Sequence, residues 1–205
     1  MKAHLKIKSL ALTLLLLSTA SYSEVRSSEL AIHKDNVSQE VVVNKQLENE
    51  AKEKVKVFAT TLKQTLVSAI QTGGFENGVN ICKDQAPQIA ATLSTDGWQI
   101  SRTSLKVRNT DNQASGWEIK NLKHFDSLFK QGVSATTLEA SIQTQDTFRY
   151  MKAIPTDQIC LACHGTSVDK TLQQIITAQY PEDAATGFTL DDIRGAFSLT
   201  KTITK

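Results

Sequence analysis

The stretch LEASIQTQDTFRYMKAI, residues 138–154, decides the fold. Two extended runs, 138–143 and 147–154, flank the polar Thr144-Gln145-Asp146, which predicts a β-hairpin and with it an antiparallel sheet. A lone hairpin is marginal in water, so further strands are expected. Working outward, the turn pair Asp96-Gly97 precedes an alternating run over 98–108. One face of that strand would carry Ile100, Arg102, Ser104, Lys106 and Arg108, and the other Ser101, Thr103, Leu105 and Val107. At the far end, residues 193–203 alternate Phe197, Leu199 and Ile203 with Ser198, Thr200 and Thr202, as in a half-exposed strand.

Helical signals surround these strands. Leu47, Ala51, Val55, Phe58, Leu62, Leu66 and Ala69 recur at spacings of three and four, a single apolar stripe that predicts a long helix from Lys45 to the stop at Gly73-Gly74. A second helix is expected from about Glu76, with Val79, Cys82 and Ala86 on one side and Pro87 kinking it before residues 89–93. Residues 117–131 form another, with Leu122, Phe125 and Phe129 inward and Gly132 as its end. A short helix follows over 168–179. This order shows no regular βαβ alternation, so the expected class is α+β, one antiparallel sheet with helices on a face and an end.

Composition narrows the function classes. The 205 residues are 40% hydrophobic and 21% charged, with 3 Pro, which excludes a disordered or multi-span membrane chain. Lys2, Lys6 and Lys8 precede an apolar run over 10–17 and then the small residues of 18–23, the order of a secretory leader. Eight apolar residues fall short of the roughly 20 that span a bilayer. The organisation read from sequence is therefore a leader over 1–23, a polar flexible lead-in over 24–44 and one domain over 45–205, exported to the periplasm without a membrane span. Removing the leader turns the formal charge from +2 to −1, which gives no footing for nucleic acid.

The chemistry sits in Cys160-Leu161-Ala162-Cys163-His164, the attachment pattern of c-type haem. Two thiols three positions apart share a helical turn and can each add to one vinyl group of the porphyrin, and the adjoining imidazole reaches the iron. A zinc or disulfide site is the competing reading, but a zinc ribbon would want a second Cys-x-x-Cys pair, which this sequence lacks. With the leader removed, the other usual iron-ligand candidates are His33, His124, Met151 and Cys82. His33 lies in the lead-in, His124 shares a polar helical stripe with Lys120, Ser127 and Gln131, and Met151 is as readily core filler. Cys82 is the odd thiol of three, either a buried bystander or a thiolate ligand.

Several segments in register carry a family resemblance: Cys82-Lys83-Asp84-Gln85-Ala86-Pro87-Gln88-Ile89-Ala90, Arg102-Thr103-Ser104-Leu105-Lys106-Val107-Arg108-Asn109, Trp117-Glu118, Phe148-Arg149-Tyr150-Met151, Cys160 to Gly165, Tyr180-Pro181 and Ile193-Arg194-Gly195-Ala196. The chain resembles a family of exported single-haem c-type proteins with a PAS-like fold, the Tll-like haem domain. The resemblance implies a long N-terminal helix, an antiparallel sheet with flanking helices, and haem iron held by His164 and Cys82. Related domains also serve as the extracytoplasmic sensing part of signalling proteins. The chain departs from the family in the loop Thr110-Asp111-Asn112-Gln113-Ala114, where prolines are common, and in Ala153, where a proline often stands.

A thiolate on iron stabilises the ferric state and lowers the reduction potential relative to methionine. Arg102, Arg108, Arg149 and Arg194, with Lys106, are the candidate cations for the haem propionates, because guanidinium pairs with carboxylate through two parallel bonds. The expected function is a periplasmic monohaem protein, one covalent haem c per chain, in low-potential electron transfer or redox sensing with a separate redox or signalling partner. The alternative is a small-gas sensor acting through such a partner. An enzyme is not expected, since filled axial positions leave peroxide nowhere to bind.

Overall fold

In the computed structural model the backbone is described for residues 17–203 and the side chains for 44–203. Residues 1–16, which hold the leader's charges and most of its apolar run, lie outside that range, as does the side chain of His33. A helix, α1 (Leu17–Asn80), is followed by a π-helical turn (Ile81–Gln85) and α2 (Ala86–Leu93). Then come β1 (Trp98–Thr103), α3 (Gly116–Lys130), β2 (Glu139–Gln143), β3 (Thr147–Pro155), the single turn α4 (Leu161–His164), α5 (Lys170–Gln179) and β4 (Ile193–Thr202). Residues 24–44, expected as an unpatterned lead-in, have helical backbone, and the compact unit with the sheet spans Gln46–Lys205. Among the described residues no helix is long and apolar enough to cross a membrane.

The four strands form one antiparallel sheet in the order β1-β4-β3-β2. The 138–154 hairpin forms as expected, pairing Glu139 with Lys152 and Gln143 with Phe148. The result is the PAS-like α+β architecture, a long N-terminal helix and flanking helices around an antiparallel sheet. Helices cover both faces rather than a face and an end. On one face Leu47, Ala51, Val55 and Phe58 of α1 pack with Trp98, Ile100, Phe148, Tyr150, Phe197 and Leu199. On the other, Leu122 and Phe125 of α3 pack on Met151, Ala153 and Ala196. Side chains alternate along a strand, so residue parity alone assigns each to its face.

Two differences from the sequence reading have clear causes. β4 is buried on both sides over Ala196–Leu199, because α3 covers the face that carries Ser198; the Ser198 hydroxyl donates to Glu118 Oε1 at 2.6 Å. β1 ends at Thr103 rather than 108. There the Ser104 side chain turns back on the backbone, donating to Arg194 O at 2.8 Å and accepting from Lys106 N at 3.2 Å, and the chain leaves the sheet. Alternation therefore fails beyond it, and Val107 and Arg108 are both buried in succession.

The break at Gly73-Gly74 is sharp. Gly74 has φ 70 and ψ −173, a conformation essentially confined to glycine, so α1 kinks here and its last turn leads into the π-helical turn. Pro87 sits in the first turn of α2, where its missing N–H costs nothing.

Candidate functional site

A cavity of about 410 Å³ opens beneath one end of the sheet, on the face covered by α1. Its floor is the lower part of α1: Leu62 and Leu66 of the apolar stripe line it together with Ile70 beside the stripe, whereas Leu47 to Phe58 above them fill the core. Arg102 at the end of β1, Ile154 near the end of β3 and Phe197 on β4 project into it, all on the α1 face by parity. Residues 156–192, inserted between the two central strands, supply the remaining wall with Cys160, Cys163, His164 and Tyr180. Cys82 enters from the π-helical turn, a type of irregularity frequent at functional sites. Residues distant in sequence thus converge: all three thiols and the motif histidine line one space.

The histidine is oriented for ligation. His164 Nδ1 lies 2.6 Å from Ala185 O and donates to it, which fixes the tautomer and leaves Nε2 with its lone pair. Burial, reinforced by Arg194 and Arg108, holds the imidazole pKa well below the usual 6.5, so the ring stays neutral. Behind it, Asp183 Oδ1 accepts from Ala185 N at 2.9 Å and from Arg108 Nε at 3.1 Å. Arg108 Nη2 bridges Asp183 Oδ2 at 3.0 Å and Cys163 O at 2.6 Å. One buried ion pair therefore steers both the histidine acceptor and the attachment turn. Gly165 closes that turn, where a Cβ would stand 2.5 Å from Leu161 O.

Burial raises the pKa of both Cys160 and Cys163, keeping them as thiols rather than thiolates. Tyr180 is likewise pushed up to about 12, chiefly by burial. At the rim Lys63 on α1 meets Asp157 at 2.6 Å, and Asp157 Oδ1 accepts from Gln158 N at 2.7 Å, starting the turn that delivers Cys160.

The candidate cations separate by geometry. Arg102 and Arg194 line the cavity. Arg108 lines it too, but its guanidinium is committed to Asp183, which removes it as a free propionate partner. Arg149 is corrected outright: it lies on the α3 face, its guanidinium 4.6 Å from the centre of the Trp117 ring and 3.8 Å from Glu118 Oε1. Lys106 donates to Thr186 O and lies over Phe188. Met151, fully buried against α3, is core, and His124 is exposed on α3; neither borders the cavity. Among the described residues no group of three or more His, Cys, Asp or Glu gathers as a metal-ion site.

The residues present fit a haem. The apolar walls suit a flat macrocycle, the paired thiols have the chemistry to meet its vinyl groups, and an imidazole nitrogen and a cysteine sulfur are kinds of donor that haem iron accepts. Sequence reasoning had missed the Arg108–Asp183–Ala185 relay and the Lys63–Asp157 latch, since neither pair is close in sequence nor part of a motif.

A family model described as Tll0287-like (Tll0287) matches residues 34–201. A solved structure, described as the crystal structure of the cyanobacterial heme-protein Tll0287, shares the fold with a TM-score of 0.57 and 24% identity, covering 76% of this chain and 97% of that one. No curated protein matches.

Proposed function

The chain belongs to the Tll0287-like family, and from that premise and the geometry of the cavity we propose that it is an exported, periplasmic c-type monohaem protein acting in low-potential electron transfer or redox sensing. The observation that carries this reading is the convergence of Cys82, Cys160, Cys163 and His164 on one apolar cavity. A solved relative of the same fold is itself described as a heme-protein. Cys160 and Cys163 are the thiols that would hold the haem, each S–H adding across one vinyl group to give a thioether. His164 supplies Nε2, held in place by the bond from its Nδ1 to Ala185 O. Cys82 would supply the second protein ligand to the iron. The haem contributes a reversible one-electron couple, and a thiolate ligand sets that couple low. The apolar α1 stripe keeps water from the ring. No reacting substrate is assigned, and the partner is a separate redox or signalling protein.

The test is mass spectrometry with absorption and EPR spectra of wild type beside Cys82→Ser. The expected wild type carries the roughly 616 Da increment of one haem through two thioethers, has lost its leader, and shows low-spin thiolate features that vanish in the variant. Colourless wild-type protein overturns the haem reading, and identical spectra overturn Cys82 as ligand. A second reading, a small-gas sensor, is favoured by the placement of Cys82 in a π-helical turn just beyond the Gly74 kink, a segment able to shift if the sulfur is displaced. Spectra unaltered by CO and NO under reducing conditions remove it.

A further inference from the structure

We propose that Arg102 and Arg194 are the carboxylate anchor of this cavity, Arg102 binding a haem propionate directly and Arg194 supplying the second positive charge. The proposal deepens the haem reading and rests on it. A count of charge around the cavity leads to it. Four cationic side chains line the space: Lys63, Arg102, Arg108 and Arg194. Lys63 is matched by Asp157 at 2.6 Å and Arg108 by Asp183 at 3.0 Å. No carboxylate lies within ion-pair distance of the other two among the described residues.

Arg194 is partly engaged, its Nη1 donating to Ser104 Oγ at 3.3 Å and Lys106 O at 3.2 Å while its guanidinium lies 5.2 Å from the centre of the Phe188 ring. Its Nε and Nη2 have no partner among the described residues. Arg102 makes no hydrogen bond or ion pair with any described residue, although it stands at the inner end of β1 on the face that Ile100 buries. A solvated basic strand face does not describe it: burial lowers the pKa of both arginines, and that of Arg194 falls to about 10.

Two half-buried guanidinium groups on one apolar cavity, with no protein counter-ion among the described residues, are costly unless an anion meets them. Haem carries two carboxylates, and their charge equals the excess counted here. The planar fork of Arg102 matches one carboxylate through two parallel bonds, with its donors unspent. The cavity therefore reads the polar edge of the macrocycle as well as its face, and fixes which way that edge points while the thioethers form.

The test is resonance Raman spectroscopy of the coloured protein, following the propionate bending band, which reports hydrogen bonding to the carboxylate and not the thiolate, against pH. Arg102→Gln should move the band and raise the pH midpoint of its change by about 1–3 units, because a carboxylate that loses a neighbouring cation protonates more easily. Arg102→Lys, which keeps the charge and loses the fork, should move the band but leave the midpoint within about 1 unit of wild type. Arg149→Gln, on the opposite face, should match wild type. A coloured Arg102→Gln protein with the wild-type band and midpoint overturns the assignment alone. If that variant fails to accumulate, an unmoved band in Arg102→Lys overturns it instead. Colourless wild-type protein removes the haem reading and this assignment with it.

Discussion

Replacing Arg108 by Met should cost more than any other single change at the cavity. The side chains of Arg108 and Asp183 are 8% and 4% exposed, so their ion pair is out of water. Taking away the guanidinium leaves Asp183 charged, buried and opposed by nothing, which costs about 3–5 kcal/mol. For a chain of this size each kcal/mol is worth about 2–4 °C, so the melting temperature should fall by about 6–20 °C. The double replacement Arg108→Met with Asp183→Leu removes both charges and with them most of that penalty. What remains is the Ala185 N–H without its 2.9 Å acceptor, at about 1–3 kcal/mol, and the Cys163 carbonyl without its 2.6 Å donor, a loss the Arg108→Met single variant shares. The double variant should thus be more stable than Arg108→Met alone. Urea and thermal unfolding of the two singles and the double give the coupling energy directly. A single-variant loss below about 1 kcal/mol, or a double-variant loss equal to the sum of the singles, refutes the claim that this pair is a coupled buried unit.

Three further outcomes follow from other parts of the structure. Gly195→Ala should destabilise by about 1–3 kcal/mol in urea titrations, because the new Cβ would meet Thr103 O at 2.4 Å and push β1 away from β4. Met151→Ala should cost about 2–5 kcal/mol as a core truncation yet leave the visible spectrum of the folded protein unaltered, since the side chain packs under α3 and not on the cavity. For Glu139, burial raises the pKa, but hydrogen bonds from Lys52 and Tyr150 and the charge of Lys152 outweigh it and hold it below 4.5. A carboxylate lowered on folding stabilises above its unfolded value and loses that contribution as pH falls through its folded one. Acid melts of Glu139→Gln should therefore show a shallower loss below about pH 4.5 than wild type, the partly exposed network limiting the difference.

The parts of the fold legible in sequence were those with a local rule. The α1 stripe, the glycine break, the 138–154 hairpin and the end of α3 at Gly132 each follow from periodicity or turn chemistry within one segment. The misreadings share one cause, which is that a neighbour from elsewhere in the chain altered the local outcome. Ser198 looks solvent-facing until α3 arrives to cover it, and the hydroxyl finds Glu118. The alternation over 98–108 is genuine in composition, but Ser104 takes its hydrogen bonds from the turn and from β4, and the strand stops. Helices on both faces of the sheet follow from the same burial of β3 and β4, which neither strand announces alone.

The site divides along the same line. Cys160, Cys163 and His164 lie within five consecutive residues, so their grouping on one cavity was legible in the sequence, and Cys82 stood out there as the thiol left over. The arginines could not be ranked by sequence, because Arg102, Arg108, Arg149 and Arg194 differ in nothing but what folding places beside them. Parity along the strands separates Arg149 from Arg102, and it does so only after the pairing of β1 with β4 and β4 with β3 assigns even residues of β1 and β3 to the α1 face. Asp183 then separates Arg108 from Arg102, through a partner 75 positions away in sequence. Arg102 and Arg194 are left on the cavity without a protein counter-ion among the described residues, and of the two only Arg102 also makes no hydrogen bond there, which is why the proposed carboxylate contact is assigned to it first.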